Sequence, residues 1–190
     1  MDTDAAGVKT LDAAEELFYG RGVQAVGMDD IRDASGVSLK QIYRLFPTKE
    51  RLVTEVLRRR DVRWRTRLAE HVAAATTDPV GRLLAVFDWL HIWFSEPTFR
   101  GCAWINMFGE LSAVSPGVVA QAREHKRAFR EYLVNLVAAA NRPPAMADHL
   151  HLLAEGAMTT AAISGSAEPA NTARRAAELM LLRGGGQLAV

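Results

Sequence analysis

The sequence predicts an all-α protein. Apolar residues recur at three- and four-residue spacing along most of the chain. Gly, Pro, Ser, Thr and Asp stand where helices of that spacing would start or stop. No stretch alternates β-branched residues between turn signals, so strands are not expected. With 190 residues, 49% of them hydrophobic, the chain is long enough to bury a substantial core.

The spacing predicts a first helix over residues 5–20, with Leu11, Ala14, Leu17 and Phe18 facing inward. A second covers 28–34, where Met28, Ile31 and Ala34 share a face. Gly36 can take positive φ and turn the chain sharply. Ser38 is then the N-cap of a short third helix, Ser38–Leu45, which Pro47 stops. Leu39, Ile42, Tyr43 and Phe46 can pack one side of it, leaving Lys40, Gln41 and Arg44 elsewhere. Thr48 caps a long fourth helix that reaches about residue 75, with Glu50 in its first turn, where negative charge suits the helix dipole.

Two short helices joined by a glycine turn form a helix-turn-helix, whose second helix is shaped to enter a DNA major groove. Many helical proteins hold such a pair without binding DNA. Here the exposed residues favour DNA: Lys40, Gln41 and Arg44 can pair with base edges or phosphates. Lys49, at a helix start, can hold a phosphate together with the free backbone amides.

Ile31, Gly36-Val37-Ser38, Ile42-Tyr43, Phe46-Pro47, Lys49-Glu50 and Leu52 resemble the DNA-binding signature of the tetracycline-repressor (TetR) family. Upstream, residues 13–22 (AAEELFYGRG) resemble that family's first helix and its glycine-ended exit. The motif covers roughly residues 8–53; beyond it the likeness is one of length and helical pattern. The resemblance implies a DNA-binding domain at 1–50 and a ligand-binding and dimerisation domain at 51–190. It implies phosphate contacts for Tyr43 and Lys49, and places Ser38 and Thr48 at the same surface. Departures are Arg32 and Ser35 where the family has Ala, and Gly27 where a Ser or Thr usually caps the second helix. Leu39 and Lys40 replace the usual start of the recognition helix, so no operator preference carries over.

Five further helices follow from spacing and punctuation. Asp78-Pro79 opens the fifth, to about 95, which is apolar nearly all round and therefore expected to be buried on most sides. The sixth runs 102–112, the seventh 116–140, the eighth 145–164 and the ninth 170–183, ended by the glycine run 184–186, which is expected to fray. Trp89, Trp93 and Trp104 crowd into sixteen residues with Met107 and Phe108 nearby. Singly these are core residues; together, large rigid rings leave gaps that become apolar pockets. A ligand site is expected at Trp89, Trp93, Trp104, Met107, Phe108, Phe129 and Met158, with Asn106 or His125 as polar anchor. The resemblance points the same way, since that family usually carries a pocket in its C-terminal domain. Small residues on the eighth and ninth helices, among them Ala154, Ala161, Ala173 and Ala177, allow close approach and suggest a homodimer through a four-helix interface.

Net charge is +1, but positive charge is concentrated after the turn: Lys40, Arg44, Lys49 and Arg51, then six arginines over 58–67, read as a solvated face. Cys102 is the single cysteine, which excludes an internal disulfide and suits a reducing cytoplasm. Arg100 nearby would favour a thiolate sensor, although lone cysteines are more often inert core. The N-terminus does not read as a signal peptide, and no apolar run reaches membrane-spanning length.

No HExxH, GxSxG, phosphate loop or cysteine pair is present, so no catalytic residue, metal ligand or cofactor is expected. His149 and His151 point to different faces of a helix and make poor joint ligands. The sequence thus reads as a ligand-responsive, operator-binding regulator, commonly a repressor in the family it resembles. The alternatives are a helical protein-binding adaptor, or a DNA-binding regulator without an effector. An adaptor would have no need of Lys40, Gln41, Arg44 and Lys49 grouped at one end.

Overall fold

The computed structural model of the chain describes residues 3–183. Those residues form nine α-helices and no strand: α1 (Thr3–Arg21), α2 (Met28–Ser35), α3 (Leu39–Leu45), α4 (Lys49–Ala75), α5 (Pro79–Phe94), α6 (Ala103–Leu111), α7 (Pro116–Ala139), α8 (Met146–Ser164) and α9 (Glu168–Arg183). The all-α expectation holds. The glycine run 184–186 lies outside the described residues. No described helix is long and apolar enough to cross a membrane.

The punctuation does what its chemistry predicts. Gly36 ends α2 at φ +65°, its N–H donating to Arg32 O at 2.9 Å. Ser38 Oγ accepts the Gln41 N–H at 3.4 Å, Thr48 Oγ1 accepts that of Arg51 at 3.1 Å, and Asp78 Oδ2 accepts that of Gly81 at 2.6 Å. Where α2 lacks a Ser or Thr cap, the Gly27 N–H donates to Asp30 Oδ2 at 2.7 Å, so the carboxylate half of a capping box survives. The ninth helix begins at Glu168, two residues before its expected start. Pro169 falls in its first turn, where the missing N–H breaks no helical bond.

Packing groups the chain into two compact units. The first comprises residues up to Val62 together with Ala103–His125; the second comprises Arg63–Cys102 and residues from Lys126 on. In the first, α1 packs on α2 and α3, with Phe18, Ile31, Ile42 and Leu52 fully sheltered. Arg60 reaches back from α4 to α1, donating to Glu15 at 2.7 Å with its guanidinium 4.0 Å from the Tyr19 ring; Arg59 pairs with Asp12. These two arginines are half-buried ties rather than a solvated face, whereas Arg58 is exposed and pairs within its own helix with Glu55 at 2.5 Å. Their stems cover apolar surface while the heads are paired.

The second unit is built on α5, which packs against α8 and α9, while those two pack on each other. As its all-round hydrophobicity requires, α5 buries Leu83, Val86, Phe87, Trp89, Leu90 and Trp93. The small residues of α8 and α9 divide: Gly156 and Ala162 are exposed and Ala176 is half-buried, the rest being sheltered. Ala154, Ala161, Ala173 and Ala177 are buried within one subunit, so they are not the exposed surface of a four-helix interface. The exposed apolar residues of these helices are instead Leu152, Ile163, Leu179 and Leu182. An apolar groove of about 540 Å³ runs between the two helices, floored by Gly156, Ala157, Ala173 and Ala176.

Candidate nucleic-acid interface

Helix α3 is short, and only tertiary packing fixes it. Ile42 is completely buried and anchors it, while Leu39, Leu45 and Phe46 are half-buried on the same side. That anchoring turns Ser38, Lys40, Tyr43, Arg44 and Thr48 to solvent, with Gln41 half-buried beside them. Tyr43 is 45% exposed, so it does not join the packed side that spacing alone suggested. A tyrosine there can present its hydroxyl to a phosphate while its ring covers the helix. The cationic groups stand on α3 and at the start of α4. On α2 the extra arginine is neutralised at once, since Arg32 pairs with Asp29 at 2.5 Å and with Asp33 at 2.8 Å.

Lys49 is placed differently from the other candidates. Its Nζ donates to Val23 O at 2.6 Å, in the turn between α1 and α2, with the Phe18 ring 5.9 Å away. Burial pushes its pKa below the ordinary lysine value, against the pull of Glu110 and Asp30. An ammonium has three donors, so two remain for other acceptors.

The candidate ligand residues divide between the units. In the first, the Trp104 ring lies flat on the His125 imidazole, 3.4 Å between centroids at 6°, and His125 Nδ1 is 2.7 Å from Asp61 Oδ1. Met107 is buried in the same unit, whereas Asn106 and Phe108 are exposed. In the second, Trp89 and Trp93 stack at 5.5 Å, and Phe129 joins them through Trp64. Met158 is fully buried there. These rings pack against one another and line neither the α8–α9 groove nor a smaller crevice of about 200 Å³ beside Phe18, Tyr19, Gly22, Asn106 and Glu110.

Two groupings were not legible in sequence. Helical spacing sets Trp64 on the apolar side of the fourth helix with Val56, Leu57 and Leu68, but not that it is the hub of the second unit's rings. Cys102 is buried, with Lys126 Nζ 3.3 Å from its sulfur and 2.6 Å from Glu155 Oε2. Burial opposes the Lys126 charge, but the Cys102 sulfur and Glu155 outweigh it and hold its pKa above the ordinary value. On the other side of Glu155, His151 Nε2 is 3.5 Å from Oε1, and burial pushes that imidazole's pKa down. Partners 24 and 29 residues from Lys126 leave no local pattern to read.

Residues 11–56 match the family described as bacterial regulatory proteins, tetR family. An uncharacterized HTH-type transcriptional regulator from the lacX 3' region of Lactococcus lactis is 26% identical over 107 residues, covering 56% of this chain and 55% of its own. An uncharacterized HTH-type transcriptional regulator of Mycobacterium tuberculosis is 35% identical over 82 residues, covering 43% and 40%. The chain therefore spans about half or less of these relatives' length. Among solved structures, a TetR-family transcriptional regulator from Streptomyces coelicolor has the same fold, with a TM-score of 0.85 at 24% identity over 96% of this chain and 97% of that one.

Proposed function

Because the chain belongs to the tetR family of bacterial regulatory proteins, we propose that it is a sequence-specific DNA-binding transcriptional regulator acting as a homodimer on a near-palindromic operator. One observation carries the reading: a helix-turn-helix whose buried Ile42 holds Lys40, Tyr43 and Arg44 out to solvent. The DNA-binding function lies in residues 1–50. Lys40, Gln41 and Arg44 read base edges; Ser38, Tyr43, Thr48 and Lys49 hold phosphates. Two copies join through the exposed face of α8 and α9, placing two α3 helices in major grooves about one helical turn apart.

Selection of bound sequences from random DNA tests this and yields the operator. On that operator, Gln41→Ala is expected to relax preference at one or two base pairs. Lys49→Ala is expected to weaken all sequences alike and to lower the salt slope by about one unit. If Lys49→Ala leaves the salt slope unchanged, its ammonium serves Val23 alone and the phosphate role is wrong.

The effector of this reading is a mostly apolar small molecule that releases the repressor from DNA. It binds in the second unit at Trp89, Trp93, Phe129 and Met158, where the rings must part to admit it. An authentic effector is expected to change tryptophan fluorescence and weaken operator binding over one concentration range. A hundredfold release requires about 2.7 kcal/mol of coupling, and operator must weaken effector binding by the same factor. A compound that binds equally well with and without operator is no effector.

A further inference from the structure

Glu110 stands in the last turn of α6, where a negative charge is disfavoured by the helix's own dipole. Its partners lie eighty-six residues earlier, in the turn between α1 and α2. The Gln24 N–H donates to Glu110 Oε2 at 3.0 Å, and Gln24 Nε2 donates to the Glu110 carbonyl at 3.0 Å. The carboxylate reaches the turn because Gly22 has no side chain. Gly22 sits at φ +86°, and a Cβ there would be 3.2 Å from Oε1 and 3.3 Å from Oε2.

The same turn is gripped from a second direction by Lys49, whose Nζ donates to Val23 O, and Glu110 supplies part of the negative field that steadies that ammonium. Just beyond α6, Ser115 Oγ donates to Glu50 Oε1 at 2.6 Å, and a Cβ on Gly117 would stand 2.9 Å from Thr54 Oγ1. The end of α6 and the start of α7 thus hold both the turn that precedes α2 and the first turns of α4. Those are the two ends of the helix-turn-helix segment.

We propose that Glu110 is a positioning residue for DNA binding: it fixes the α1–α2 turn and, through it, the angle at which α3 meets the groove. This rests on the DNA-binding reading above. Removing Glu110 leaves every DNA-facing side chain in place but frees the segment that carries them. Affinity then falls while the contacts, and so the base preference and the number of neutralised phosphates, stay the same.

The test uses the full chain and the operator that the wild type selects. Glu110→Ala is expected to raise the dissociation constant about tenfold, the size of one lost charge-assisted hydrogen bond. Preferred sequence and salt slope are expected to be unchanged. Amide exchange at Gln24 is expected to speed at least about tenfold, while amides of α5 keep their protection. Glu110→Gln retains an acceptor oxygen and is expected to keep most of the affinity. Wild-type affinity in Glu110→Ala overturns the proposal, as does a Glu110→Gln variant that falls as far as the alanine. A wild-type chain that enriches no sequence overturns the DNA-binding reading itself, and this proposal with it.

Discussion

Ile163→Asp is expected to convert the protein to a monomer that keeps its helical content and loses at least about a hundredfold in operator affinity. Ile163 is 83% exposed and Leu152 on the same helix 69%, beside an apolar groove. A charge at such a position costs the isolated subunit little. In the two-fold interface proposed above it puts two carboxylates without partners into an apolar contact. Affinity falls steeply because two linked half-sites bind far more tightly than one. The control is Ala161→Asp, two residues away on the buried side of the same helix. Ala161 is 1% exposed, so its carboxylate has no water to reach, and this variant is expected to lose helical structure. Sedimentation and far-UV circular dichroism separate the two. An Ile163→Asp protein that sediments as an undisturbed dimer removes this face from the interface.

Trp64→Ala is expected to cost about 3–5 kcal/mol of stability and to lower the melting temperature by roughly 10 °C. Trp64 stands edge-on to Trp89 at 4.8 Å, to Trp93 at 5.6 Å and to Phe129 at 5.2 Å. Edge-to-face pairs add to what the buried area already contributes. No neighbouring ring can collapse into the hole without surrendering its own contacts, so the cavity persists. Urea unfolding followed by circular dichroism measures the loss. A change below about 1 kcal/mol would mean that the cluster is loosely packed, and loose packing would in turn make the apolar-effector site easier to open.

Sequence and structure agree best where the controlling interaction is local. Gly36, Ser38, Thr48 and Asp78 act on backbone groups within four residues, so their roles follow from identity and spacing. The start of α9 lies two residues before the spacing predicts because Pro169 is tolerated in its first turn. The candidate DNA surface was legible for the same reason: one face of a short helix must be buried, and the apolar residues say which. Tyr43, apolar in ring and polar at its tip, was the residue that period alone could not place.

What sequence left hidden is long-range. Arg59 and Arg60 look like part of a solvated run until α1 supplies Asp12 and Glu15. Alanines that suit either a subunit core or an interface are assigned only by burial. The division of the aromatic residues between two units depends on which helices meet, and no spacing rule reaches across 40 residues.

The unit that contains the helix-turn-helix is discontinuous in sequence, residues up to Val62 and then Ala103–His125. The partners of its first fifty residues therefore do not all travel with them in the sequence. A crossover that grafted another regulator's N-terminal fifty residues onto this chain would set an unfitted head against Glu110, which accepts from Gln24, and Ser115, which donates to Glu50. On the DNA-binding reading proposed above, such a chimera is expected to bind its operator more weakly than one that also carries residues 103–125 of the grafted head's own chain.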